Sequence, residues 1–151
     1  MNNLNIFKKL HHICIVVNDM ESSVQYYESI GVGPWTDFPS LENFQVDGIE
    51  RDAFLGLRYK YANLDNVQIQ LCQPGSGDTP QGQFLRTRGE GVFHLGFDVV
   101  DCDIAEVDAV QAGLAVKARG RLPNRSGFTY FETVRQGAGV TLEVRAVSVL
   151  S

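Results

Sequence analysis

The chain has 151 residues, 44% hydrophobic and 21% charged. That is enough apolar matter for one domain, or two small fused modules, around a buried core, and it argues against disorder. Net charge is −5 with no lysine- or arginine-rich block, which argues against nucleic acid or an anionic membrane surface as partner. The apolar runs are too short to span a bilayer, and the opening MNNLNIFKKL lacks the apolar stretch and cleavage site of a signal peptide. Three scattered cysteines, at 14, 72 and 102, form no CxxC pair. The expectation is therefore a cytoplasmic protein without a disulfide framework.

In chain order, residues 11–17 read as a strand rich in Ile and Val. Asn18 and Asp19 supply a helix N-cap, residues 20–30 a helix, and Gly31 its stop. Gly33-Pro34-Trp35 opens an extended segment, and residues 37–50 follow no clear period. Residues 51–62 read as a strand, 63–66 as a turn and 67–73 as the returning strand. A loop beginning at Pro74-Gly75-Ser76-Gly77-Asp78 is expected to run on to Glu90. Then come a strand at 92–99, a helix at 103–112 stopped by Gly113, and a strand at 115–121. A hairpin of 127–133 and 140–146 turns around residues 136–139.

The second half repeats the first. Sliding the chain by 82 positions lays His12 on His94, Asp19 on Asp101 and Gly31 on Gly113. A strand, an acidic helix start and a glycine helix end recur in register, which is an internal duplication. The expected plan is two modules, 8–74 and 90–147, joined by a linker at 75–89. Each module is a strand, a helix and three further strands.

Strand side chains alternate between faces. Ile13, Ile15 and Val17 oppose His12 and Cys14; Val67, Ile69 and Leu71 oppose Gln68, Gln70 and Cys72. Leu95, Phe97 and Val99 oppose His94, Gly96 and Asp98; Leu142 and Val144 oppose Thr141, Glu143 and Arg145. Each polar face carries one strong metal-type ligand: His12, Gln70, His94 and Glu143. A single histidine or glutamine on a strand is more often a satisfied polar residue than a ligand. Four at symmetric places in a duplicated pattern point to a nitrogen and oxygen site for a divalent ion such as Mn, Co, Ni, Fe or Zn.

The phrases LHHICIVVNDMESSVQYYESIGV, VQIQLCQP, GQFLRTRGEGVFHLGFDV and GAGVTLEV resemble the vicinal oxygen chelate superfamily, which includes glyoxalases, methylmalonyl-CoA epimerases, extradiol dioxygenases and antibiotic-resistance proteins. The resemblance runs from about Lys9 to Ala146 and is nearest to the epimerases. It implies an α+β fold of two βαβββ modules whose sheets form a cup around one divalent metal ion. His12, Gln70, His94 and Glu143 match the metal ligands of the epimerases, and a homodimer is implied. A bacterial glyoxalase usually has glutamate at the place of Gln70, and a dioxygenase would need only His12, His94 and Glu143. Two epimerase features are missing. No acid stands on the inner face of the strand before Gln70, where Leu57, Tyr59 and Tyr61 are expected to line the substrate pocket, Tyr59 opposite Gln70. Glu132-Thr133-Val134-Arg135 replaces the family's histidine-proline-lysine phrase.

Glyoxalases and epimerases share removal of a proton next to a carbonyl, helped by a metal that stabilises the developing charge. Glu143 is the candidate base. An even turn at 136–139 would pair Glu132 with Glu143 and make it a second acid, with Tyr59 as the other candidate donor. The alternatives are an extradiol-type dioxygenase and a non-catalytic protein that binds a small molecule.

Overall fold

The computed structural model describes residues 4–147. Nine strands form one sheet, curled into a cup, with helices packed on it. The first half supplies β1 (Leu10–Val16), α1 (Met20–Ser29), β2 (Thr36–Asp37), β3 (Gln45–Asp47), α2 (Arg51–Leu55), β4 (Arg58–Asn63) and β5 (Gln68–Gln73). Helix α3 (Pro80–Arg88) leads into β6 (Gly91–Asp98), α4 (Cys102–Gln111), β7 (Val116–Arg121), β8 (Gly127–Phe131) and β9 (Thr141–Ala146). The strand order is β2-β4-β5-β1-β6-β9-β8-β7-β3. About its centre the sheet is symmetric: β1 and β6 pair with each other antiparallel, and each pairs in parallel with the last strand of its own half, β5 or β9. This is a mixed α+β fold.

The helix ends follow the local chemistry. Asp19 accepts from the Ser22 amide at the start of α1, and Asp101 accepts from the Asp103 and Ile104 amides at the start of α4. Gly31 and Gly113 leave those helices at φ of 92° and 98°. Met20 of α1 packs with Val17 and Leu71 on the outer sheet face. Cys102, Ala105 and Ala109 of α4 pack on Phe131 and Val144. Small residues on α4 let the helix lie close to the sheet.

Four expectations are corrected. Residues 51–62 are not one strand: Arg51–Leu55 form the short helix α2, which buries Ala53 and Phe54 before β4 begins. The stretch up to Glu90 is not all loop, since Thr79 caps α3, Pro80 opens it and Gly89 ends it. The β4–β5 turn closes at Leu64 and Val67, two residues out of the expected register, so Tyr61 rather than Tyr59 faces Gln70 and Tyr59 faces Cys72. The β8–β9 connection is wide rather than a four-residue turn. Thr133 and Val134 accept from the amides of Gly137 and Gly139 within it, and Tyr130 rather than Glu132 faces Glu143. Both shifts are by two residues, so every side chain keeps its expected face. The region 37–50 holds two short strands, β2 against β4 and β3 against β7; β3 reaches from the first half to the far edge of the second.

Candidate functional site

Two rows of residues cross the concave face. In one, Gln68, His12, Gly96, Glu143 and Tyr130 are successive partners on β5, β1, β6, β9 and β8. In the next, Tyr61, Gln70, Cys14, His94 and Thr141 are partners on β4, β5, β1, β6 and β9. The rows mirror each other: a small residue, Gly96 or Cys14, lies between a histidine and the second ligand. The His12 imidazole lies over Gly96 in the space a side chain would fill. It thereby reaches the carboxylate two strands away.

His12 Nε2 lies 2.8 Å from His94 Nε2 and 3.0 Å from Glu143 Oε1, and His94 Nε2 lies 3.4 Å from Glu143 Oε2. These are the separations of adjacent ligands around one ion bound at about 2.1 Å. The three side chains form the one such metal-type cluster among the described residues. Gln70 lines the same cavity, and its amide nitrogen donates to Gln68 Oε1 at 2.8 Å. That leaves its oxygen, the atom that would bind an ion, outside the bond. All four side chains are nearly sealed from water, His12 3%, Gln70 6%, His94 1% and Glu143 5% exposed, so their charges act in a low dielectric.

The electrostatics suit ligation. Burial drives the His94 pKa down to about 4, against the pull of the nearby Glu143 carboxylate. Burial also disfavours charge on Glu143, yet His94 and His12 beside it hold its carboxyl below the usual carboxylate range. Near neutral pH His94 is thus neutral and Glu143 anionic, the state in which such groups bind metal. His94 Nδ1 is buried without a hydrogen-bond partner, as is Oγ1 of Thr141, its neighbour in the row. An ion on Nε2 would fix the proton on Nδ1. The donor set therefore fits a divalent ion.

Around the cluster opens a cavity of about 380 Å³, in the usual range for small-molecule sites. Tyr59 and Tyr61 are among the residues that line it. Leu57 is buried beside Phe54 and Cys72 and borders a neighbouring hollow instead. Glu132 lies beyond the end of β8 and is exposed. Among the described residues, Glu143 is the one carboxylate in the cavity wall.

The family model of the glyoxalase/bleomycin resistance protein/dioxygenase superfamily matches residues 11–131. The chain belongs to that superfamily. Among solved structures, the methylmalonyl-CoA epimerase from Mycobacterium tuberculosis is similar at 21% identity, with 97% of this chain and 92% of that one covered and a TM-score of 0.71. A Streptomyces coelicolor methylmalonyl-CoA epimerase variant in complex with 2-nitronate-propionyl-CoA is similar at 22% identity, 96% and 99% coverage and a TM-score of 0.72. A hypothetical protein from Bacillus halodurans C-125 is similar at 18% identity, 95% and 96% coverage and a TM-score of 0.67. No curated protein matches the sequence.

Membership in the superfamily leaves several site residues that strand alternation does not find. His11 is the extra residue of a β-bulge on β1 and also faces the cavity, its Nδ1 2.8 Å from Nδ1 of His12. Phe93 is the extra residue of the equivalent bulge on β6, just before His94. Gln81, fully buried in α3, donates to the hydroxyls of Tyr59 at 2.8 Å and Tyr130 at 3.1 Å. Burial keeps both phenols protonated well above their ordinary range, so they are hydrogen-bond donors and not bases. The Thr79-Pro80 start and Gly89 stop would have revealed α3, though not the place of Gln81.

Proposed function

We propose that this chain is a metal-dependent enzyme that removes a proton next to a carbonyl, an isomerase of the epimerase kind or a lyase of the glyoxalase kind. The convergence of His12, His94 and Glu143 inside a buried cavity carries this reading. Gln70 is the fourth ligand we assign, and the ion is one of Co, Mn, Ni, Zn or Fe. When bound, such an ion would stabilise negative charge developing on a substrate oxygen.

Glu143 is the base in this proposal. It is anionic, shielded from water and, among the described residues, alone among carboxylates in the cavity wall. A proton taken by Glu143 returns to the same side of the carbon unless a donor stands opposite. Glu132 is exposed beyond the end of β8, so we assign inversion to Tyr130, Glu143's partner across β8 and β9, or to Tyr59. Elemental analysis tests the reading: about one divalent ion per chain is expected in the wild type, with a clear loss in His94→Ala. Wild-type occupancy in that variant would remove the site.

A second reading, an extradiol-type dioxygenase, rests on the three-residue cluster of His12, His94 and Glu143, which is all that such an enzyme would need. Iron in the purified protein together with oxygen consumption would favour it. A homodimer is also proposed, by likeness to the family. Within the chain, β2 and β3 pair with the outer sides of β4 and β7. Light scattering that finds a monomer at micromolar concentration would end that proposal.

A further inference from the structure

We infer that the substrate is a small molecule with an aromatic body beyond its metal-facing oxygens, and that a coenzyme A thioester is not the preferred ligand. The inference rests on the proposed metal-dependent proton chemistry for the oxygen end, and on the cavity's own walls for the rest.

Two aromatic walls face the cavity. Phe38 stacks on Tyr59 with ring centres 4.9 Å apart and meets Tyr61 edge-on at 5.5 Å. From the other half of the sheet, Phe128 stacks on Phe54 at 6.0 Å, touches Phe44 at 5.7 Å and leans on Tyr130 at 5.0 Å. Tyr130 in turn lies 5.2 Å from the His94 ring, so the second wall runs up to the ligand cluster. Gln81 joins the walls at their base by bonding both tyrosine hydroxyls. A flat ring entering this slot would bury its faces and edges against other rings, gaining from stacking as well as from area.

The charges point the same way. Arg145 is the one lysine or arginine in the cavity wall, and its guanidinium donates to Asp98 at 2.7 Å. Arg58 borders the neighbouring hollow and is held by Glu21 at 2.6 Å. Phosphates are bound by uncommitted cations or by helix N-termini. Among the described residues, the arginine of each hollow is therefore already paired with a carboxylate rather than free for the phosphate-rich tail of coenzyme A.

Isothermal titration of the purified protein with three probes tests this: lactate, mandelate and methylmalonyl-CoA. Lactate and mandelate carry the same pair of vicinal oxygens and differ in a methyl against a phenyl group. Mandelate is expected to bind at least tenfold more tightly than lactate and more tightly than methylmalonyl-CoA. Phe128→Leu, and separately Tyr61→Leu, keep apolar bulk and should cut the ratio of mandelate to lactate affinity to less than threefold. Equal binding of the two acids, tighter binding of methylmalonyl-CoA, or an undiminished advantage in both variants would overturn the inference. Metal content separates the two proposals. Metal present with no phenyl preference sinks the substrate class and leaves the proton chemistry standing. A phenyl preference in protein that holds no metal sinks the proton chemistry and the chelating end with it, and leaves the aromatic body standing.

Discussion

Gly96 lies directly across the sheet from His12, and the imidazole of His12 occupies the volume that any side chain at 96 would need. The missing side chain lets a ligand on β1 reach Glu143 on β9. Gly96→Ala should push the ring aside, cost about 1–3 kcal/mol of stability by overpacking and lower metal content well below wild type. Urea denaturation and elemental analysis check both effects. Full metal content in a folded Gly96→Ala protein would mean that His12 does not need this position.

Glu143→Gln and Glu132→Gln separate the two carboxylates of the C-terminal hairpin. With a substrate in hand, Glu143→Gln should slow exchange of the substrate hydrogen with deuterium from solvent by about 10²–10⁴-fold, while the amide oxygen retains some metal. Glu132→Gln should leave exchange and inversion unchanged, because Glu132 is exposed beyond the end of β8. A loss of inversion in Glu132→Gln would show that the loop after β8 closes over the site.

Buried His94 sets a pH dependence. In the unfolded chain a histidine titrates near its ordinary 6.5; in the fold His94 titrates at about 4. Between those values the unfolded state binds a proton that the folded state refuses, so stability falls as pH drops from 6.5 toward 4 and is unaffected by this group above 6.5. The loss is on the order of 3 kcal/mol at the acid end. The lowered pKa of Glu143 acts in the same direction, but only below its ordinary 4.5. Urea midpoints of metal-stripped protein between pH 7 and 5 should fall for the wild type and be flatter for His94→Gln. Equal slopes would refute the assignment.

Glu106 is a test of the fold away from the site. Its carboxylate on α4 accepts from Arg119 at 2.7 Å, Arg121 at 2.8 Å and Thr129 at 2.6 Å, tying the helix to β7 and β8. Glu106→Gln removes the charge shared by Arg119 and Arg121, which keep Asp47 and Asp103 as partners, and should cost about 1–3 kcal/mol. Metal content should not change, since Glu106 does not line the cavity. A parallel loss of metal would mean that α4 packing shapes the site.

The duplication, the helix caps and the inward face of each strand were legible in the sequence, because they depend on local periods and on single residues. A period of two says that His12, Gln70, His94 and Glu143 face one way, and errors of two residues in both hairpins left that unchanged. Which residues stand next to one another was decided only in three dimensions. Tyr130 displaced Glu132 beside Glu143 because of how the nine-residue connection between β8 and β9 folds on itself. His11 turned inward because β1 carries an extra residue against β6. Gln81 and the aromatic walls come from segments whose neighbours lie far along the chain: Phe44 meets Phe128, and Gln81 meets Tyr130. Alternation assigns a side chain to a face; turn width, bulges and long-range packing decide which other side chain it meets there.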